Sequence, residues 1–476
     1  LIGALTLLFI KEINKIRLIA LNISLLTFVI SLFLWLLFDN TSSKFQFVQY
    51  LGWSSELNIY CTLGIDGISL FFILLTSLLF PLCILHSWVI KTRVKEYMIA
   101  FLIMESLLFL VFSVLDLLLF YVFFESILIP MFIIIGIWGS RERKVRAAYM
   151  LFLYTLLGSV FMLLAILYIY SVVGSTDYQV LLTYDFEETI QKWLWLAFFA
   201  SFAVKIPMLP FHIWLPEAHV EAPTAGSVIL AGILLKLGSY GFIRFSMPLF
   251  PLATTYFTPL VYTMSVMAII YASLTAIRQT DMKRIIAYSS VGHMNLVLVG
   301  LFSLNPQGVE GSLLLMLGHG IVSSALFLCV GVLYDRHHSR LVKYYSGVAH
   351  TMPLFIIIFL IFTMANIGFP GTCNFVGEFL CLVGVFQSNI LISILSASGM
   401  VLGGGYALWL FNRIAFGNIK LHYIDQFSDI NRREFILFFP LIVITFVMGI
   451  YPNIFLEPMH MTVGNLIEQI KLAHLV

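Results

Sequence analysis

The chain has 476 residues, of which 61% are hydrophobic and only 11% charged, with a mean hydropathy of +1.01. Soluble globular domains carry about 25% charged residues, so the composition excludes a soluble enzyme and describes a polytopic membrane protein. A net charge of +2 is too small to recruit nucleic acid or an acidic partner. The five cysteines form no CxxC or CxxCH pair, which leaves iron–sulfur and haem attachment unsupported and reads them as apolar filling.

Apolar runs of about 20 residues are long enough to span a bilayer. They predict fourteen transmembrane helices, at 1–10, 17–38, 65–90, 97–114, 117–138, 148–173, 193–215, 222–246, 257–277, 284–303, 309–334, 353–388, 391–416 and 435–456. The first run is short, ending at Lys11, and no Met opens the chain, so the natural N-terminus is expected upstream. Twenty of the 26 Lys and Arg residues fall in alternate, odd-numbered loops, Lys420 and the cluster Arg141, Arg143, Lys144 and Arg146 among them. That bias places the odd loops on the cytoplasmic or matrix side and both termini opposite.

Two spans are interrupted. The seventh carries Lys205 just before Pro207 and Pro210, and the twelfth reads MANIGFPGTCNFVGEFL, with a break at 368–371 and Glu378 beyond it. Proline removes a backbone donor, and broken backbone at membrane depth is tolerated only where protein or water covers it. The two lie five spans apart, which predicts an all-α fold with two inverted five-helix repeats, each with a broken helix, at 97–246 and 257–416. Residues 1–96 then hold the first three spans, and 417–476 a loop, the last span and a tail. Paired interrupted helices mark a transport site.

Charges inside apolar runs carry the chemistry. At 1.5 Å per residue, Glu125 lies about 12 Å into its span, Lys205 about 18 Å, Lys236 about 21 Å, His293 about 13 Å and His319 about 15 Å. A charge at such depth costs roughly 3 kcal/mol unless it faces a protein interior or a wet cavity. A file of titratable groups at mid-membrane is what proton transfer needs. Glu125 and Lys205 form either a pair that switches protonation as the partners approach and separate, or a static ion pair that ties helices together. His293 and His319 are either proton relays or polar groups satisfied by serine or backbone carbonyls. Glu105 is open between helix packing and an accessory proton site.

Other positions read as structural. Asp66 in GIDGISL stands at a span entrance and predicts a turn or cap. His337 and His338 lie in a basic loop without further ligands. His212, Glu217, His219 and Glu221 lack metal-ligand spacing. Gly403, Gly404 and Gly405 predict close helix approach. No dinucleotide fingerprint, P-loop or quinone-specific pattern is present.

The strings FYVFFESILIPMFIIIGIWG, KIPMLPFHIWLPEAHVEAPTAGSVILAGILLKLGSYGFIRF, RQTDMKRIIAYSSVGHMNL, LGHGIVSSALFLCVGVLYDR and FPGTCNFVGEF resemble the antiporter-like membrane subunits of respiratory complex I, in the form found in plant and algal mitochondria. The resemblance covers essentially the whole chain and departs only at its shorter N-terminus. It implies a proton-pumping subunit of the membrane arm of NADH:ubiquinone oxidoreductase, in the mitochondrial inner membrane with both termini toward the intermembrane space. It implies input at Glu125 and Lys205, transfer through Lys236, His293 and His319, and exit by Glu378. NADH, FMN, iron–sulfur clusters and ubiquinone would belong to other subunits, and this chain would bind no cofactor or metal. Its partners would be lipids and neighbouring antiporter-like subunits. A subunit of a multisubunit Na+/H+ antiporter, sharing these motifs by ancestry, and a purely structural spacer are the alternatives.

Overall fold

Several helices begin where a short polar side chain meets an apolar run. In the computed structural model, which describes residues 1–54, 59–419 and 428–473, Asp66, Asp116, Asp281, Asn305 and Asn389 each accept a backbone N–H from the first turn that follows. Such caps satisfy donors that the helix leaves over and are worth about 1 kcal/mol each. Asp66 is therefore a cap, as its context predicts. Lys420, counted above among the loop cations, lies outside the described residues.

In chain order the main elements are α1 (Ile2–Leu8), α2 (Ile13–Leu36), β1 (Gln46–Ser54), β2 (Ile59–Ile65), α3 (Gly67–His86), α4 (Val94–Ser113), α5 (Leu117–Trp138), α6 (Lys144–Val173), α7 (Tyr178–Leu181), α8 (Glu188–Lys205), α9 (Trp214–Glu221), α10 (Thr224–Leu249), α11 (Pro251–Arg278), α12 (Met282–Leu301), α13 (Pro306–His337), α14 (Pro353–Ile367), α15 (Cys373–Ser388), α16 (Ile390–Ala415), α17 (Arg432–Ile450) and α18 (Asn453–Leu472). Among the described residues, eleven helices are long and apolar enough to cross a membrane: α2–α6, α10–α13, α16 and α17. The seventh predicted span is α8, then turns over 206–213, then α9. The twelfth is the pair of shorter apolar helices α14 and α15 on either side of residues 368–372.

Two elements fall where the sequence reading placed only loop and tail. β1 and β2 form an antiparallel hairpin in the register Gln46↔Ile65 and Tyr50↔Thr62. Residues after the last span continue as α18, whose buried Pro458, Met459, Thr462, Val463, Leu466, Ile467 and Ile470 make one apolar stripe. A helix of that kind is amphipathic rather than apolar throughout, so a search for spanning runs passes over it. Its second turn presses on the start of α3, where a Cβ on Gly67 would strike the Pro458 carbonyl.

The chain divides into two compact units. The first comprises Leu1–Pro207, Ile233–Val261 and Leu456–Val476, and the second Met208–Gly232 and Tyr262–Phe455. In the first, α3 is buried over most of its length whereas α2 presents most of its apolar surface outward, so α2 is the layer a bilayer would wet. In the second, α13 is buried over its whole apolar window and packs against α12, α14, α15 and α17. The glycines predicted to bring helices together on α16 do less: Gly404 makes only an ordinary contact, to Ile367, and Gly405 meets nothing.

Candidate functional site

In the first unit the helix interruptions place two opposite charges together. Glu125 sits on α5 two residues before its irregular turn at Ile127, and Lys205 is the last residue of α8 before the proline-rich turns. Lys205 Nζ lies 3.3 Å from Glu125 Oε1. It also donates to the Phe124 carbonyl at 2.9 Å and lies over the Phe124 ring. Charge-assisted N–H···O bonds are usually about 2.7–2.9 Å, so the carboxylate contact is the looser of the two. Neither Glu125 oxygen makes a further hydrogen bond. The lysine is thus held chiefly by a neutral carbonyl and a ring, while the carboxylate is free to move without breaking anything else.

Lys236 is fully buried in the middle of α10. The backbone there widens into π-helical turns at Leu230–Leu234 and Phe242–Ser246, a distortion that recurs at functional sites. Between them Gly238 and Gly241 allow α10 to touch α8 directly: a Cβ on Gly238 would lie 2.9 Å from the Phe202 carbonyl, and one on Gly241 would meet the Phe202 ring. Lys205 and Lys236 therefore flank the same helix contact. Glu105, also in this unit, is buried on α4 and accepts the Thr27 hydroxyl of α2 at 2.7 Å, a bond that joins those two helices.

The second unit repeats the theme with different groups. His293 on α12 lies with Nδ1 3.1 Å from Glu378 Oε1 on α15, and its ring centroid is 5.6 Å from that of His319 on α13. Gly368, at φ +79°, ends α14 so close to this carboxylate that a Cβ would collide with Glu378 Oε2. The interruption thus serves two ends: glycine supplies the left-handed backbone and leaves room for the acid. A cavity of about 30 Å³ is lined by His293, Glu378, Ser289, Asn366, Ser396 and Tyr406. Glu378 Oε2, His293 Nε2 and Ser396 Oγ have no protein partner, and a polar cavity of this volume accommodates a water.

The sequence reading placed Glu125, Lys205, Lys236, His293 and His319 at mid-membrane depth and Glu378 beyond the break of the twelfth span, and the structure gathers Glu125 with Lys205, and His293 with His319 and Glu378. It did not foresee the direct His293–Glu378 contact. Three further cations, Arg244, Lys283 and Arg340, stand near or beyond the ends of predicted spans, and all three are buried. Lys283 Nζ donates to the Ala222 carbonyl at 2.8 Å and to Ser227 Oγ at 3.3 Å, Arg340 pairs with Asp281 at 3.8 Å, and Arg244 pairs with Asp66 at 2.6 Å. Opposite charges at matching ends of two predicted spans, Asp66 and Arg244, were the available signal. Of the remaining polar positions, Glu217 pairs with Arg284 and His219 stacks on Phe327 at 4.6 Å. Among the described residues no three His, Cys, Asp or Glu side chains group as a metal site.

Residues 114–403 match the family described as NADH:quinone oxidoreductase/Mrp antiporter, TM. NADH-ubiquinone oxidoreductase chain 4 of Marchantia polymorpha is 62% identical over 474 residues, covering 99% of this chain and 96% of that protein. The chain 4 protein of Arabidopsis thaliana is 62% identical over 473 residues, with the same coverage. Among solved structures, a chain of respiratory complex I from Thermus thermophilus with bound NADH superposes with a TM-score of 0.89 at 29% identity, over 98% of this chain and 97% of that one. A chain of the Mrp complex from Dietzia sp. shares the fold, with a TM-score of 0.86 at 18% identity over 98% and 97%.

Proposed function

The chain belongs to the NADH-ubiquinone oxidoreductase chain 4 family of plants and algae, within the NADH:quinone oxidoreductase/Mrp antiporter membrane subunits, and from that premise we propose that it translocates protons as a membrane-arm subunit of respiratory complex I. It is a multi-pass protein of the mitochondrial inner membrane and one subunit of a larger assembly, with antiporter-like subunits as neighbours and its termini toward the intermembrane space. The fourteen spans, the two inverted repeats over 97–246 and 257–416, and the six-residue relay belong to this proposal. NADH oxidation and quinone reduction occur in other subunits, whose cofactors this chain does not bind.

The observation that carries the reading is the state of the Glu125–Lys205 pair: Lys205 buried and Glu125 largely so, 3.3 Å apart, and with a carboxylate that has no other anchor. A buried lysine favours its neutral form unless an anion is close. Moving Glu125 away from Lys205 therefore drives a proton off the lysine, and returning it takes one up. A change of charge in the neighbouring subunit, set by quinone chemistry, is what moves Glu125. The released proton passes to Lys236, then to the His319, His293 and Glu378 group. Moving one charge against the membrane potential takes about 2.3 kcal/mol per 100 mV, and an ion-pair contact in a poorly screened interior is of that size or larger. Glu378, hydrogen-bonded on one oxygen by His293 and open on the other to the cavity, gives the last proton-holding position a route outward.

An Mrp-type antiporter subunit would share the fold but not the 62% identity to chain 4 proteins. A native gel of detergent-solubilised membranes separates the two. This chain is expected to co-migrate with NADH dehydrogenase activity; migration in an assembly without that activity would favour the antiporter.

A further inference from the structure

Asp66 and Arg244 take no part in the relay, yet they form a buried ion pair in the first unit. Arg244 Nη2 donates to Asp66 Oδ1 at 2.6 Å, and the two side chains are only 6% and 5% exposed. Arg244 Nε donates to the Tyr240 hydroxyl at 3.2 Å, which in turn donates to the Phe112 carbonyl at 3.1 Å. The rings of Phe45, Tyr240 and Tyr178 stand 5.0, 5.4 and 6.0 Å from the guanidinium carbon. Phe112 packs edge-on against Tyr240 at 5.1 Å, closing the collar toward α4.

The register of α10 gives this cluster its meaning. Lys236, Tyr240 and Arg244 are spaced four residues apart, so they lie on one helix face, and eight residues set Arg244 about 12 Å from Lys236 along the axis. Asp66 opens α3 from the cation-poor loop, so the cluster stands between Lys236 and that side of the membrane. A guanidinium does not release its proton in a protein. The Asp66 carboxylate is held ionised by Arg244 and by the Ser69 N–H at 2.9 Å. A fixed arginine across a narrow path is a known means of excluding protons. We infer that the Asp66–Arg244 pair and its aromatic collar seal the cation-poor end of the Lys236 face, so that a proton held at Lys236 does not run back or leak through the first unit. The inference rests on Lys236 carrying a proton, as proposed above.

The test uses the whole complex reconstituted in vesicles, with assembly checked by native gel. Asp66→Asn with Arg244→Gln removes both charges together and leaves no unpaired buried ion. Resting proton conductance, measured from the decay of an imposed pH difference without NADH, is expected to rise about tenfold, the change that about 1.4 kcal/mol off a barrier produces. Adding Lys236→Met to that double variant is expected to return conductance to the wild-type level. Should the double variant fail to assemble, Arg244→Lys decides: it keeps the paired charge, supplies a titratable ammonium, and is expected to leak in the same direction. Wild-type resting conductance in the assembled variants would overturn the seal. Lys236→Met alone keeps the two readings apart. If it abolishes NADH-driven pumping while the double variant stays tight, the relay stands and the seal falls; if it leaves pumping intact, the relay reading falls and the seal with it.

Discussion

Replacing Lys205 by methionine is expected to lower NADH-driven proton translocation by about 10²-fold, the scale on which a positioned proton-transfer group contributes, while the complex still assembles. Methionine fills much of the same apolar volume. Glu125 loses its cation but no hydrogen bond, since neither of its oxygens makes one elsewhere, so the packing around α5 and α8 survives. The more telling variant is Lys205→Arg. Arginine keeps the positive charge beside Glu125 and can still donate to the Phe124 carbonyl, but it does not give up its proton. A static pair that only joins α5 to α8 would be restored by arginine, and pumping with it. A protonation switch would not, so assembly with pumping as low as in Lys205→Met is the expected result. Vesicle acidification alongside quinone reductase rate measures both.

Glu378→Gln is expected to give a loss of the same order, about 10²-fold, through the other interrupted helix. Glutamine is nearly isosteric, so its side-chain carbonyl can still accept from His293 at the place Oε1 occupies, 3.1 Å away, and its amide fits in the space that Gly368 leaves. Structure is therefore retained and only the exchangeable proton is lost. Gly368 offers an internal control on that geometry. The residue stands at φ +79° and its missing Cβ faces the carboxylate, so a side chain there displaces the acid without changing its chemistry. Native-gel assembly with failed acidification identifies Glu378 as a proton-holding group; unchanged acidification would reduce it to a helix-packing residue.

Much of the site was legible because charges in apolar runs are anomalous. Lys205, Lys236 and Glu125 each stand inside a run where solvation is lost, so depth along a helix was enough to single them out. Proline at 207 and 210 and the glycines at 368 and 371 punctuate two predicted spans, and the structure is interrupted there. What sequence did not reveal depends on side chains crossing between helices. Arg244, Lys283 and Arg340 lie near span ends, where a cation is equally at home in a loop. Only contacts with Asp66, the Ala222 carbonyl and Asp281 distinguish them. The His293–Glu378 bond joins residues 85 positions apart on α12 and α15, and no helical period predicts it. The last helix, α18, was passed over for the opposite reason: its buried residues make one stripe only, so it lacks the uniform hydropathy that marks a span.

The most direct test of the account is NADH-driven proton translocation in membranes carrying Glu125→Gln, with assembly verified by native gel. Glutamine preserves the shape beside Lys205 Nζ, now 3.3 Å from Oε1, and removes only the charge that tunes it. An assembled complex in which pumping and quinone reduction both collapse is the predicted result. Normal pumping in the assembled complex would contradict it, making Glu125 a packing residue and moving the search for proton entry to Glu105.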